Sequence, residues 1–241
     1  MKDTKVAIIT GASRGIGKSV AIGLAEGGYK TILISRSKEK LANVKKEIDA
    51  ILKSRVELSS EIYPVDVTDY ESSKEIIKQV IDKYNRIDVL VNNAGIWAKG
   101  SLDVSEKELS KVLNTNLIAP FAVLKEVVPV MKEQKSGYIF NIASRAGKYG
   151  FAGSGTYVSS KFALVGLSES LYRELSEYHV KVTSISPSWV NTDMAEEAGS
   201  AISKEEMIQP EDITETIRYL LKLSPATYIK DVTIECRLRI K

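Results

Sequence analysis

Short runs of β-branched and other apolar residues alternate with longer amphipathic stretches along almost the whole sequence. Such short runs are typical of strands buried on both faces, and apolar residues at every third or fourth position are typical of a helix packed on one side. The predicted strands lie at 5–10, 31–34, within 61–67, and at 87–91, 137–142, 180–186 and 232–236. The first predicted helix ends at 24, and the others cover 38–52, 70–84, 106–132, 157–178 and 211–223. Pro120 and Pro129 are expected to bend or interrupt the longest of them. This alternation predicts one doubly wound α/β domain over residues 1–241, with a parallel sheet covered by helices on both faces.

The composition excludes several classes of protein. Hydrophobic residues make up 44% of the chain and charged residues 27%, which is typical of a globular domain. The net charge is only +3, and lysines alternate with glutamates, so no nucleic-acid partner is expected. The single Cys236 excludes an internal disulfide, and with the single His179 it argues against a metal site. Neither a signal peptide nor an apolar run of membrane-spanning length is recognised, so we expect a cytoplasmic protein without a membrane partner.

A glycine-rich loop, Thr10-Gly11-Ala12-Ser13-Arg14-Gly15-Ile16-Gly17, stands between the first predicted strand and the first predicted helix. In that context the spacing of the glycines predicts a dinucleotide-binding turn, in which amides at the start of the helix meet a pyrophosphate. Gly11 would allow the tight turn, Gly15 the close approach of the cofactor, and Gly17 the close packing of the helix. The other candidate cofactor contacts in this loop are Ser13, Arg14 and Ile16.

Ser144, Tyr157 and Lys161 form the predicted catalytic group. Ser144 follows the fifth predicted strand, and Tyr157 and Lys161 lie one turn apart on the next helix. We expect them to meet at the carboxyl edge of the sheet, where open α/β sheets bind ligands. The Lys161 ammonium is expected to lower the pKa of Tyr157 toward neutrality, and the Ser144 hydroxyl to donate to a substrate oxygen as charge develops there. This chemistry suits proton transfer coupled to hydride transfer at a carbonyl.

The Tyr-x-x-x-Lys spacing occurs a second time, at Tyr70 and Lys74. Thirteen residues before Tyr157 stands Ser144, whereas thirteen residues before Tyr70 stands Glu57. We therefore interpret Tyr70 and Lys74 as an ordinary pair on a helix surface. The spacing alone leaves the same interpretation open for Tyr157 and Lys161, and the other motifs decide between the two.

The end of the second predicted strand indicates which cofactor is used. NAD-binding domains of this architecture carry a carboxylate about 20 residues beyond the glycines, which holds the ribose 2′-hydroxyl. Ser35 and Arg36 occupy that place here, and the next acidic residue is Glu39. Arg36 and Arg14, which would face the same ribose, suit a 2′-phosphate by charge and by forked hydrogen bonding. The sequence thus predicts NADP (NADPH), the alternative being that both arginines are solvated surface residues.

Taken together, these motifs resemble the short-chain dehydrogenase/reductase family, in its compact form with a Thr-Gly-x-x-x-Gly-x-Gly loop, from Val6 to about Val232. The resemblance implies a single Rossmann-type domain and a catalytic tetrad completed by Asn116, which would support the lysine through a water. It also implies that Asp66 and Val67 contact the adenine, that the Asn-Asn-Ala-Gly motif at 92–95 shapes the cofactor pocket, and that residues 187–192 hold the nicotinamide carboxamide. In that last motif Ser188 replaces the usual glycine. The cofactor-binding residues so indicated are Gly11, Ser13, Arg14, Gly15, Ile16, Gly17, Ser35, Arg36, Asp66, Val67, Asn93, Ala94, Gly95, Tyr157, Lys161, Pro187, Val190 and Thr192.

The substrate is less clearly indicated. By the same resemblance residues 193–209 form the substrate lid, whose shortness argues against a very bulky ligand. The 3-oxoacyl-thioester reductases of the family usually end with a glycine pair after the last strand, whereas this chain ends Ile234–Lys241 without one. Its tail and lid look more like those of relatives acting on small alcohols, hydroxy acids or diketones. The candidate pocket residues, each with core or rim packing as the alternative, are Trp97, Arg145, Tyr149, Phe151 and Trp189.

The sequence therefore predicts an NADP(H)-dependent oxidoreductase, a carbonyl reductase that interconverts a ketone and a secondary alcohol with Tyr157 as acid and base. A 3-oxoacyl-[acyl-carrier-protein] reductase is the alternative within the enzymes, and a non-catalytic NADP-binding interaction protein is the alternative from another class. The helices around 116–132 and 157–167 carry more apolar positions than one sheet face covers, and the family pairs these helices across two-fold axes. We therefore expect a homodimer or homotetramer.

Overall fold

Seven parallel strands form the centre of the computed structural model, which describes residues 4–53 and 55–239. The strands are β1 (Val6–Thr10), β2 (Lys30–Ser35), β3 (Glu61–Pro64), β4 (Val89–Asn92), β5 (Gly137–Ile142), β6 (Val180–Pro187) and β7 (Asp231–Ile234). The helices are α1 (Gly15–Glu26), α2 (Lys38–Leu52), α3 (Tyr70–Tyr84), α4 (Glu106–Leu113), α5 (Ala119–Gln134), α6 (Gly155–Leu175), α7 (Asp193–Glu197) and α8 (Pro210–Lys222). The strand order is β3-β2-β1-β4-β5-β6-β7, which confirms the predicted doubly wound sheet.

Alternate residues of each strand pack against opposite layers of helices. Ala7 and Ile9 of β1 belong to a core that contains buried residues of α1, α2 and α8. Val6 and Ile8 of the same strand belong to a second core with residues of α3, α5 and α6. Because β1 pairs with both β2 and β4, the chain order reverses there, and a crevice opens beyond the carboxyl ends of these strands.

The long helix predicted over 106–132 is divided in the structure. Helix α4 ends at Leu113, a π-helical turn covers Asn114–Ile118, and α5 begins at Ala119. Pro120 has no N–H, so the carbonyl of Asn116, four residues earlier, lacks the donor that an α-helix would supply. The predicted interruption at Pro120 is confirmed, whereas Pro129 lies inside α5 without ending it.

The predicted lid segment contains α7 and a 3₁₀ turn at Lys204–Glu206, and it is closed by a parallel bridge between Val190 and Ile208. The predicted helix over 157–178 ends as an α-helix at Leu175 and continues as a 3₁₀ turn to Tyr178. Within the described residues, no helix is both long and apolar enough to span a bilayer. The last two residues of the predicted tail, Ile240 and Lys241, lie outside the described residues.

Candidate active site

A cleft of about 960 Å³ lies beyond the carboxyl ends of β1, β4, β5 and β6. It brings together the glycine-rich loop, the loop after β4, Ser144 and the start of α6, as the sequence predicts. Of the predicted cofactor-binding and catalytic residues, all but Gly17 and Asn116 are among the described residues that line the cleft. Those two are buried behind its wall.

The glycine-rich loop has the close backbone contacts that its sequence predicts. Gly11 and Gly15 have φ values of +66° and +52°, in the left-handed region that favours glycine. A Cβ added at Gly15 would lie 2.9 Å from Cγ2 of Thr192, and one added at Gly17 would lie 2.3 Å from the carbonyl oxygen of Gly11. Asn93 Nδ2 donates to the carbonyls of Thr10 and Gly11 at 3.0 and 3.2 Å. The loop is thus held tightly enough to present the first amides of α1 to a pyrophosphate.

The residues predicted to bind the ribose phosphate lie in the same cleft. Ser35 Oγ donates to Ser13 Oγ at 2.8 Å, and Arg36 Nη1 lies 3.9 Å from a carboxylate oxygen of Asp66. Two guanidiniums and two hydroxyls, with no acidic residue at the end of β2, fit a ribose that carries a 2′-phosphate. The donor set of this chain therefore fits NADPH better than NADH.

Arg14 has partners that the sequence did not indicate. Its guanidinium donates to the Asp193 carboxylate of α7, and its Nη1 lies 3.6 Å from Oε1 of Glu197. Arg14 lines the same cleft, so its contact with the ribose phosphate stays a prediction, but in this structure it is also paired with the lid, because α7 brings two carboxylates over the loop.

The three residues of the predicted catalytic group lie together in the cleft. The side chain of Ser144 accepts from the amide of Ala146 at 3.1 Å, at the start of a 3₁₀ turn after β5. Tyr157 and Lys161 are buried, with 9% and 4% of their surfaces exposed. Lys161 Nζ donates to the carbonyl of Ile142 at 3.0 Å and lies 5.8 Å from the centre of the Tyr157 ring. A hydroxyl, a phenol and an amine thus surround one end of the cleft.

Burial determines the titration of this group, and here one expectation is wrong. Burial raises the pKa of Tyr157 to about 12, although a hydrogen bond with Ser144 acts in the opposite direction. Burial also lowers the pKa of Lys161 to about 8. The expected lowering of the tyrosine pKa by Lys161 is not found, because desolvation of the phenolate is the largest effect. At neutral pH Tyr157 therefore keeps a proton that it can donate.

The side chain of Asn116 has three hydrogen bonds, and its predicted support of Lys161 through a water stays a prediction. Its Oδ1 accepts from the Ile96 amide at 2.9 Å, and its Nδ2 donates to the Ile96 carbonyl at 2.9 Å and to Ser160 Oγ at 3.0 Å. The side chain thus connects the loop after β4 to α6, and its backbone carbonyl, which Pro120 leaves without an α-helical donor, is the part left for a water. Sequence analysis missed Ser160, whose hydroxyl also donates to the carbonyl of Tyr157 at 2.7 Å.

The outer part of the cleft is lined by residues of mixed character. Trp97, Arg145, Phe151 and Trp189 line it, whereas Tyr149 is 55% exposed and is not among the described lining residues. Sequence analysis missed one face of α4, the start of the π-helical turn after it and a residue near the end of the chain, because exposed polar helix positions resemble any solvated surface. These lining residues are Lys107, Ser110, Lys111, Asn114, Thr115 and Leu238.

Known proteins resemble this chain over nearly its whole length. A family model described as short chain dehydrogenase matches residues 5–203. The 3-oxoacyl-[acyl-carrier-protein] reductase FabG of Staphylococcus aureus is 36% identical over 245 residues, which cover 97% of each chain. Among solved structures, a betaketoacyl-[ACP] reductase from Bacteroides thetaiotaomicron is 45% identical, with a TM-score of 0.87 over 99% of each chain. A metagenomic short-chain oxidoreductase in complex with NADP is 32% identical, with a TM-score of 0.83 over 98% of each chain.

Proposed function

The chain belongs to the short-chain dehydrogenase family, and from that premise we propose that Ser144, Tyr157 and Lys161 reduce a ketone to a secondary alcohol with NADPH. The protein is an NADP(H)-dependent oxidoreductase, and the predicted cofactor and enzyme class are confirmed. The observation that carries the assignment of the residues is their convergence in one cleft with the glycine-rich loop. A non-catalytic binding protein would not need these three side chains together.

The chain's own residues handle the proton and the charge. NADPH, when bound, supplies the hydride. Tyr157, which burial keeps protonated, donates its phenolic proton to the carbonyl oxygen of the substrate. Ser144 donates a hydrogen bond to the same oxygen while negative charge develops on it. Lys161, whose lowered pKa leaves it mostly charged at pH 7, stabilises the phenolate that remains. Asn116 holds the loop after β4 against α6 and so fixes the position of the acid.

For the substrate we propose a 3-oxoacyl thioester. The support comes from the relatives from S. aureus and B. thetaiotaomicron, which are named as 3-oxoacyl carrier-protein reductases and match nearly the full length of this chain. A small ketone, diketone or hydroxy acid is the second candidate. It is favoured by the end of the chain, where Leu238 lines the cleft in a segment without the glycine pair usual in the thioester reductases.

A substrate assay distinguishes these two candidates. Oxidation of NADPH is followed by absorbance with acetoacetyl-coenzyme A and with small ketones such as ethyl acetoacetate and 2,3-butanedione. We expect kcat/KM to be at least about tenfold higher with the thioester, the equivalent of one further favourable contact in the transition state. A higher value with the small ketones would support the second candidate, and turnover of none of them would contradict the proposed reaction.

The lid and the assembly complete the proposal. We propose that residues 193–209 cover the substrate, since Met194, Ala195 and Ala198 line the cleft. We also propose that copies of the chain pair through α5 and α6 into a homodimer or homotetramer. Ile118, Phe121 and Phe162 on this side are 39%, 47% and 44% exposed, more apolar surface than a solvated helix face needs. Light scattering at micromolar concentration tests the assembly, and the cytoplasmic location stays a prediction.

A further inference from the structure

Arg14 connects the cofactor loop to the lid through an ion pair. Its guanidinium is hydrogen-bonded to Asp193 and lies 3.6 Å from Glu197, one turn further along α7. The hydrogen bond from Arg14 lowers the pKa of Asp193 below its ordinary value, so the carboxylate is charged throughout the neutral range. The cation best placed in the loop to meet a phosphate is therefore already paired with anions.

The packing of the loop fixes this arrangement. Gly15 and Thr192, the residue before α7, are so close that a Cβ on the glycine would lie 2.9 Å from Thr192 Cγ2. Helix α7 must therefore begin directly over the loop. Its third carboxylate, Glu196, is paired with Lys204 instead. Asp193 and Glu197 therefore pair with Arg14, whereas Glu196, which has the same charge and lies on the same short helix, pairs with a different cation.

Stability does not explain this pairing well. The side chains of Arg14, Asp193 and Glu197 are about half exposed, at 47%, 57% and 57%. Exposed ion pairs of this kind contribute little to the stability of a fold, because water screens them and ordering long side chains costs entropy. Their effect on a ligand is larger, because a guanidinium shared with two carboxylates is less available to a phosphate.

We propose that Asp193 and Glu197 are specificity-determining residues that act through Arg14. They compete with the 2′-phosphate of NADPH for the Arg14 guanidinium and so reduce the preference of the enzyme for NADPH over NADH. NADH has no phosphate at that position, so its binding leaves the ion pair in place. Arg36, which is 70% exposed and lies 3.9 Å from Asp66, remains the second phosphate-binding group in either case.

Direct binding measurements test this. Dissociation constants for NADPH and NADH are measured by fluorescence titration, without substrate, for the wild type and for Asp193→Asn/Glu197→Gln. We expect the ratio of the NADH to the NADPH dissociation constant to rise about fivefold or more in the double variant, a typical size for coupled sites. The matched control Glu196→Gln removes one charge from the same helix and should leave the ratio unchanged. Because no turnover is measured, the result does not depend on which carbonyl is reduced.

The same titrations in an Arg14→Ala background show whether the effect passes through Arg14. There, the double substitution in α7 should no longer change the ratio. An unchanged ratio in the original background would overturn the proposal. So would an equal rise with and without Arg14, which would mean that the lid charges repel the phosphate directly. If Arg14→Ala alone leaves the ratio unchanged, Arg14 does not bind the phosphate and the proposal also fails. Melting temperatures of all the variants, including the single variants Asp193→Asn and Glu197→Gln, provide a check that each protein is folded.

Discussion

Two segments of this chain have nearly the same five residues, Tyr70-Glu71-Ser72-Ser73-Lys74 in α3 and Tyr157-Val158-Ser159-Ser160-Lys161 in α6. Lys161 is 4% exposed and lies in the cleft, whereas Lys74 is exposed to solvent. Tyr70 packs partly buried against the core beneath α3, and neither it nor Lys74 is among the described residues that line the cleft. In each pair the spacing places the tyrosine and the lysine on one face of their helix, but only α6, which follows β5, brings its pair into the cleft.

The serine before each lysine shows the same contrast. Ser160 and Ser73 are 0% and 2% exposed. The Ser160 hydroxyl accepts a hydrogen bond from Asn116 and donates one to the backbone of Tyr157. Among the described residues, the hydroxyl of Ser73 finds no hydrogen-bond partner. A buried hydroxyl is thus part of a positioning network in one segment and a small cost in the other. Matched substitutions in the two segments test this difference.

The largest difference is expected for the tyrosines. Tyr157→Phe removes the proton donor without changing the shape of the ring, so kcat should fall by about 10²- to 10⁴-fold, the range of general acid–base catalysis. The dissociation constant for NADPH should change little. Tyr70→Phe is the matched control and should leave kcat unchanged. Near-normal turnover by Tyr157→Phe would mean that another group supplies the proton.

The lysines should differ next, in stability as well as in activity. The pKa of Lys161 is about 8 in the folded protein, below its ordinary value of 10.5, so burying its charge opposes folding. This cost is complete below pH 8 and vanishes as the pH rises to 10.5, because the folded state loses the proton first. Lys161→Met should remove activity, yet raise the free energy of unfolding by about 2–3 kcal/mol at pH 7, allowing for the lost hydrogen bond to Ile142.

Urea denaturation between pH 7 and 10.5 measures this effect. The gain from Lys161→Met should shrink as the pH rises through this interval. The control Lys74→Met changes an exposed side chain and should stay within about 0.5 kcal/mol of the wild type at every pH. A loss of stability in Lys161→Met at pH 7 would show that its charge is compensated inside the fold.

The serines should give the smallest effect, but with opposite signs. Ser160→Ala removes two hydrogen bonds, so the free energy of unfolding should fall by about 1 kcal/mol. Because Tyr157 and Asn116 lose their link, kcat should fall about three- to tenfold with KM nearly unchanged. Ser73→Ala removes a buried hydroxyl that has no partner among the described residues and should be neutral or slightly stabilising. Equal losses of stability in both variants would mean that the two hydroxyls are equivalent.

Local sequence was sufficient for the fold and for most of the cleft. Strand and helix periods follow from which residues alternate or recur within a few positions, and the glycine-rich loop depends on φ values that only a few residues adopt. The convergence of Ser144, Tyr157 and Lys161 also follows, because the carboxyl ends of parallel strands meet at one edge of the sheet. Even the interruption near Asn116 is encoded locally, by the missing N–H of Pro120.

The charges and partners in the cleft were decided only by the tertiary structure. The pKa values of Tyr157 and Lys161 depend on how completely the surrounding layers exclude water, which no spacing in the sequence measures. Arg14 meets Asp193 across 179 residues of chain, because the packing of Thr192 on Gly15 brings α7 over the loop. Sequence fixes which groups are available, but desolvation and long-range ion pairs depend on distances that exist only once both layers have packed against the sheet.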